Sequence, residues 1–202
     1  MPRITQEEKA HNREIILEAA GRLFRSRGVK AVGIAELMND AGLTHGGFYN
    51  HFASKNELVA EVCAASFLTS LASLAQTVEE GDREGASPLQ RIVTEYLSTR
   101  HRDAPDGGCP SSSLAADAAR DNAAVQNAYA HGVEGYLTGF ASELLREAHE
   151  KGAALEPREA HRRAIGLLSE MVGALILARA VGQADPDLSE EILYAAREDA
   201  LR

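Results

Sequence analysis

The chain has 202 residues, 45% of them hydrophobic and 25% charged, the balance of a folded globular protein rather than a disordered or fibrous one. Its formal net charge of −9 excludes a protein that holds polyanions by bulk positive charge. Two cysteines, Cys63 and Cys109, exclude a disulfide framework and a multi-thiolate zinc site.

In chain order, Met1 to Glu8 contain no apolar run, so no signal peptide is expected. Thr5 and Glu8 have the capping-box spacing. Ile15, Ile16, Ala19, Ala20, Leu23 and Phe24 then recur at helical intervals until Gly28, which predicts a first helix. Ile34, Leu37 and Met38 make a short amphipathic helix, and Ala41-Gly42-Leu43 a tight turn in which Gly42 is free to take positive φ. Phe48 and Phe52, four apart, share the inward face of another short helix. Turning about 100° per residue from Phe48 puts Gly46, Gly47, Tyr49 and Asn50 on the outward side. Each helical glycine costs about 1 kcal/mol relative to alanine, so an adjacent pair on an exposed face implies a partner that approaches the backbone closely. Helix, glycine turn, helix is the plan whose second helix enters the DNA major groove.

Ser54 and Glu57 form a second capping box, opening a long helix through Leu58, Val62, Phe67, Leu71, Leu74 and Val78. Lys55 in its first turn, beside free N–H groups, reads as a phosphate clamp. Glu79 to Ala86, with Gly81 and Gly85, reads as a loop. Ser87-Pro88-Leu89-Gln90 starts the next helix, carried inward by Ile92, Val93, Tyr96 and Leu97. His101-Arg102-Asp103 resembles a kinase catalytic loop, but position 108 is Gly where that pattern needs Asn; the stretch to Gly108 is expected to be a loop. Pro110 opens a helix to Arg120. Asp121 or Asn122 caps a long one through Val125, Tyr129, Val133, Tyr136, Leu137, Phe140, Leu144 and Leu145. Pro157 opens a helix apolar over too wide an arc for a surface element. Asp187 with Glu190 is expected to cap a last helix through Leu201. No strand signal appears, so the fold class is all-α with about nine helices.

The motif Ala41-Gly42-Leu43, Gly47-Phe48-Tyr49, His51-Phe52, Ser54-Lys55 and Leu58 resembles the signature of the TetR family of bacterial transcriptional repressors. The resemblance implies an all-helical, cytoplasmic homodimer, with a helix-turn-helix DNA-binding domain over residues 1–53 and a helical effector-binding and dimerisation domain over 54–202. It also implies roles at the matching positions. Thr44 caps the recognition helix and reaches a phosphate or thymine methyl, His45 and Gly46 touch base edges, and Tyr49, His51 and Lys55 hold phosphates. Gly47 permits close approach, and Asn50 faces adenine or a phosphate. The charge distribution fits: residues 1–58 hold 8 basic and 7 acidic residues, the remainder 13 and 23. Binding then rests on a few placed contacts by two heads.

Candidate lining residues of the effector pocket are Phe67, Tyr96, Cys109, Leu114, Tyr136, Met171 and Leu175. For the dimer interface the apolar faces of the last two helices supply Ile165, Leu168, Val172, Leu175, Ile176, Ile192, Leu193 and Ala196, and two-fold symmetry calls for a palindromic operator. Cys109, before Pro110 at a helix start, offers an alternative: a repressor that senses electrophiles or oxidants through a thiolate favoured by the helix dipole. A helical small-molecule-binding protein or enzyme with a vestigial head is a second alternative, though no GxSxG, HExxH, CxxC or phosphate-binding glycine loop is present. No enzyme activity, cofactor or metal is expected. The one membrane-length stretch read from the sequence, Ala164 to Gly182, contains Glu170 and Arg179, which favours a buried helix over a membrane partner.

Overall fold

A computed structural model describes residues 5–84 and 87–201. Ten α-helices and one 3₁₀ helix, with no strand among the described residues, follow one another: α1 (Gln6–Arg27), α2 (Ile34–Asp40), the 3₁₀ segment (His45–Asn50), α3 (Lys55–Glu84), α4 (Pro88–Tyr96), α5 (Thr99–Asp103), α6 (Pro110–Ser113), α7 (Ala115–Ala118), α8 (Ala123–Glu150), α9 (Pro157–Val181) and α10 (Pro186–Ala200).

The caps explain where most of them start. Thr5 and Glu8 make the reciprocal capping box. Ser87 Oγ accepts from Gln90 N–H, and Asn122 Oδ1 from Ala124 and Val125. Gly28 ends α1 at φ 79°, and Gly42 turns between α2 and the 3₁₀ segment at φ 70°, the left-handed region that suits glycine.

Several expectations are corrected. Helix α3 runs on through Glu84, so residues 79–84 are helical, not looped. Gly85 and Ala86 of that expected loop, and the first four residues, lie outside the described ones. The stretch after α4 is not all loop, because Ser98 caps the single turn α5. Residues 110–120 form two short helices, broken at Leu114. The last helix is capped by Asp185, two residues ahead of the expected Asp187, with Pro186 at its first position.

Behind the 3₁₀ segment, Phe48 and Phe52 are fully buried with Ile16, Phe24, Leu37 and Met38. Their rings lie 5.6 Å apart. The same apolar cluster continues through Leu58, Val62 and Phe67 into a bundle of α3, α4, α8, α9 and α10. Helices α3 and α8 close tightly because Phe67 and Leu71 sit over Gly132 and Gly135. A Cβ on Gly132 would fall 2.1 Å from Phe67 Cγ. Two helices, Lys55–Gly81 and Pro157–Val181, are long and apolar enough to cross a membrane, one more than was read from the sequence. Both turn residues such as Leu58, Phe67, Met171 and Leu175 into this core, as core helices do.

Candidate functional site

Helix α1 supports the 3₁₀ segment from behind, Arg13 pairing with Glu61 of α3 and lying over the Phe52 ring at 4.7 Å. Arg22–Asp40 (2.8 Å) and Arg27–Glu36 tie α1 to α2. These pairs neutralise much of the local positive charge. Thr44, His45, Gly46, Tyr49 and Asn50 are exposed, Tyr49 at 62%, and a Cβ on Gly46 would meet nothing within 4 Å.

Three details differ from expectation. The segment winds as a 3₁₀ helix, and Thr44 makes no side-chain cap; two adjacent glycines and the missing cap leave little to hold an α-helical turn. Gly47 is half-buried, its Cα facing Met38 Cε and Thr44 Oγ1, so it does not stand outward as Gly46 does. Lys55 is half-buried and donates to the carbonyls of Val29 and Val32, both at 2.6 Å, beneath the loop between α1 and α2. Two of its three donors are therefore engaged within the chain. His51 is half-buried with Nδ1 unpartnered, and burial, then Lys9 and Arg13, push its pKa down.

A cavity of about 430 Å³ lies between α3, α4, α8 and α9, closed on one side by the Ala104–Cys109 loop. Leu74, Ile92, Phe140, Leu168 and Met171 give its apolar walls, and Ser70, Tyr96, Tyr136 and Cys109 its polar ones. Of the seven residues expected to line a pocket, Tyr96, Cys109, Tyr136 and Met171 do so. Phe67, Leu114 and Leu175 are corrected to core positions. Phe67 packs edge-on against Tyr129 at 5.3 Å, Leu114 packs among Phe24, Cys63 and Val125, and Leu175 is fully buried.

Hydroxyls and one thiol line up along the wall. Tyr136 O–H donates to Ser70 Oγ at 2.6 Å and lies 3.3 Å from Cys109 Sγ, which is 2.8 Å from Ser111 Oγ. Burial, with Cys109 next, drives the pKa of Tyr136 and Tyr96 up, and burial brings Tyr129 to about 12. All three are neutral donors at pH 7. Cys63, deep in the core, is pushed up to about 11 by burial and is an inert thiol.

His101 pins the loop. Its Nδ1–H donates to Tyr96 O at 2.8 Å, and its Nε2 accepts from Cys109 N–H at 3.2 Å, which fixes one neutral tautomer. Burial, with Arg179 and Arg100 adding to it, depresses its pKa against the opposing Tyr96 carbonyl.

Two arginines missed by sequence reasoning hold the same loop. Arg179 of α9 donates to the carbonyls of His101 (2.8 Å) and Arg102 (3.0 Å) and to Ser112 Oγ (3.2 Å). Arg25 of α1 donates to Asp106 O at 2.7 Å and Ser66 Oγ at 2.9 Å. The signal for Arg179 was present: an arginine in an apolar helix needs acceptors.

On the outer surface, the expected dimer residues divide. Ile165 (44%) and Ile176 (41%) are exposed, and Val172, Ile192 and Ala196 half-buried. Leu168, Leu175 and Leu193 are buried within the protomer and are corrected to core. The inward ridge is Ala164, Leu168, Met171, Leu175 and Ala178, so Ile165, Val172 and Ile176, each one position on from a ridge residue, turn outward. Leu177, Leu188 and Tyr194 extend the exposed apolar face.

Comparisons with known proteins agree with this architecture. The family described as "Bacterial regulatory proteins, tetR family" matches residues 16–62. The HTH-type transcriptional repressor KstR2 of Mycolicibacterium smegmatis is 30% identical over 95 residues, 47% of this chain and 44% of that protein. The HTH-type transcriptional regulator TtgR of Pseudomonas putida is 46% identical over 59 residues, 29% of this chain and 28% of that protein. The chain thus spans less than half the length of these curated relatives. The crystal structure of E. coli NemR in its reduced form superposes with a TM-score of 0.75 at 22% identity, covering 94% of this chain and 95% of that one, a likeness of fold.

Proposed function

Because residues 16–62 match the family described as bacterial regulatory proteins, tetR family, we propose that the protein is a cytoplasmic transcriptional repressor that binds a palindromic operator as a homodimer and releases it when a small molecule occupies the cavity. The observation that carries the reading is the 3₁₀ segment, with His45, Gly46, Tyr49 and Asn50 exposed over a fully buried Phe48 and Phe52. In this reading residues 1–53 are the DNA-binding head, in which His45, Gly46 and Asn50 meet base edges while Thr44, Tyr49 and His51 reach phosphates. Gly47 shapes the turn of the segment, and Lys55 reaches the backbone with its third donor. Residues 54–202 form the effector and dimerisation domain. Ile165, Val172 and Ile176 on α9, with Ile192 and Ala196 on α10, supply the interface with Leu177 and Tyr194.

Release is supported by the path from cavity to head. Arg25 of α1 holds the carbonyl of Asp106, beside Gly107 and Cys109 of the cavity wall. A ligand that displaces this loop shifts α1 and α3 together, provided it binds the two arrangements with different affinity. The thiol reading has less support, since α6 is a single four-residue turn whose dipole is small, and Cys109 is buried.

Selection of genomic fragments by the purified protein at physiological salt tests the reading. Enrichment of a palindromic site is expected. Tyr49→Ala is expected to weaken binding on all sequences and to lower the salt slope, and Asn50→Ala to change base preference. A folded, dimeric protein that enriches no site overturns the reading.

A further inference from the structure

The rim of the cavity carries one guanidinium, Arg100, and one carboxylate, Glu95. Arg100 is exposed and makes no hydrogen bond or ion pair among the described residues. The neighbouring acids face other cations: Glu95 pairs with Arg91 at 3.3 Å and Asp103 with Arg102 at 2.7 Å, and Asp106 lies near Arg25, offsetting part of the burial that lowers its pKa. Arg179, just behind, donates to carbonyls and hydroxyls, with the Asp103 carboxylate near enough to favour its charge. Deeper in, Leu74, Ile92, Phe140, Leu168 and Met171 offer only apolar surface. Beside them the Tyr96 hydroxyl is buried near Ser111, Ser112 and Cys109 without a well-formed hydrogen bond, a state that a ligand oxygen improves.

We propose that the cavity binds a small monocarboxylic acid, its apolar ring or chain against Ile92, Phe140 and Met171, its carboxylate on Arg100, and a polar oxygen within reach of Tyr96. The proposal rests on the reading of this cavity as the effector site. A guanidinium matches a carboxylate with two parallel N–H donors, which a lysine does not. The volume of about 430 Å³ is at the small end of the roughly 300–1,000 Å³ of ligand sites, enough for a single ring with a short chain.

The test is titration calorimetry of the full-length protein at pH 7.5 with 4-phenylbutanoate and with its neutral counterpart, 4-phenylbutanamide. The acid is expected to bind about tenfold more tightly than the amide, the equivalent of one charge-assisted contact. Arg100→Gln, a change at an exposed side chain, is expected to abolish that preference, the acid then binding no more tightly than the amide. Equal affinity of the two probes for the unaltered protein, or a preference that survives in Arg100→Gln, overturns the carboxylate assignment while the cavity remains a ligand site. Failure of both probes to bind at millimolar concentration overturns the assignment and the effector reading of the cavity together.

Discussion

Lys55 shows how one side chain serves the fold before it serves a partner. Its ammonium bridges two carbonyls of the α1–α2 loop and lies 5.8 Å from the Phe24 ring. Lys55→Ala removes both charged hydrogen bonds and leaves the carbonyls short of donors, at a cost of about 1.5–3 kcal/mol. Urea unfolding is expected to show that loss in the absence of DNA, whereas Tyr49→Ala, at an exposed ring, is expected to leave the unfolding midpoint in place. If Lys55→Ala melts like the unaltered chain, the ammonium does not hold the loop. The sequence made Lys55 visible through its position after Ser54, but not its acceptors, which lie 23 and 26 residues upstream. The same holds for Arg25 and Asp106, 81 residues apart: periodicity reports which face a residue is on, never which distant carbonyl it meets.

At the scale of elements, the seam between α3 and α8 is set by glycine. Gly132→Ala drives a methyl into the Phe67 ring, while Gly139→Ala meets only Leu74 Cδ2 at 3.8 Å. Overpacking costs about 1–3 kcal/mol or more, and alanine returns about 1 kcal/mol of helix propensity. Gly132→Ala is therefore expected to lower the thermal midpoint and Gly139→Ala to raise it slightly. Matching shifts of the two variants in a melting experiment would show that the seam tolerates a methyl. Helix order and most helix starts were legible from caps and apolar spacing, because both are local. Two features were not. A six-residue segment with adjacent glycines has too little local preference to choose between α and 3₁₀ winding. On α9, small and apolar residues cover so wide an arc that Ile165 and Leu168 looked equivalent. Only the packing of α8 and α10 decides that Leu168 faces in.

For the whole molecule, two half-buried histidines set the response to acid. His101 and His51 both have folded-state pKa values below the usual 6.5, through burial first and neighbouring cations second. A depressed histidine binds its proton more readily in the unfolded chain. The stability that the neutral ring provides is therefore full above about pH 6.5 and falls as pH drops through that value toward the folded pKa. Protonating His101 also costs the bond from Cys109 N–H to Nε2. Urea midpoints are expected to decline between pH 7 and 5, above the range where carboxylates titrate, and more gently in His101→Gln. A flat profile over that interval would mean that neither ring is held neutral.

The unbroken apolar cluster has a further consequence for modularity. Buried apolar residues run from Ile16 and Phe48 through Val62 and Cys63 to Leu114, Val125 and Leu193 in one cluster shared by head and bundle. A head cut after residue 53 would leave Phe24 facing water where Val59, Val62 and Cys63 of α3 had covered it. In a graft between relatives, the exchangeable unit is the head together with the half of α3 that lies under it. Recombination or engineering that respects the helix-turn-helix motif alone would divide a shared interior, whereas the exposed residues of the 3₁₀ segment, which read the operator in the function proposed above, can be altered without opening it.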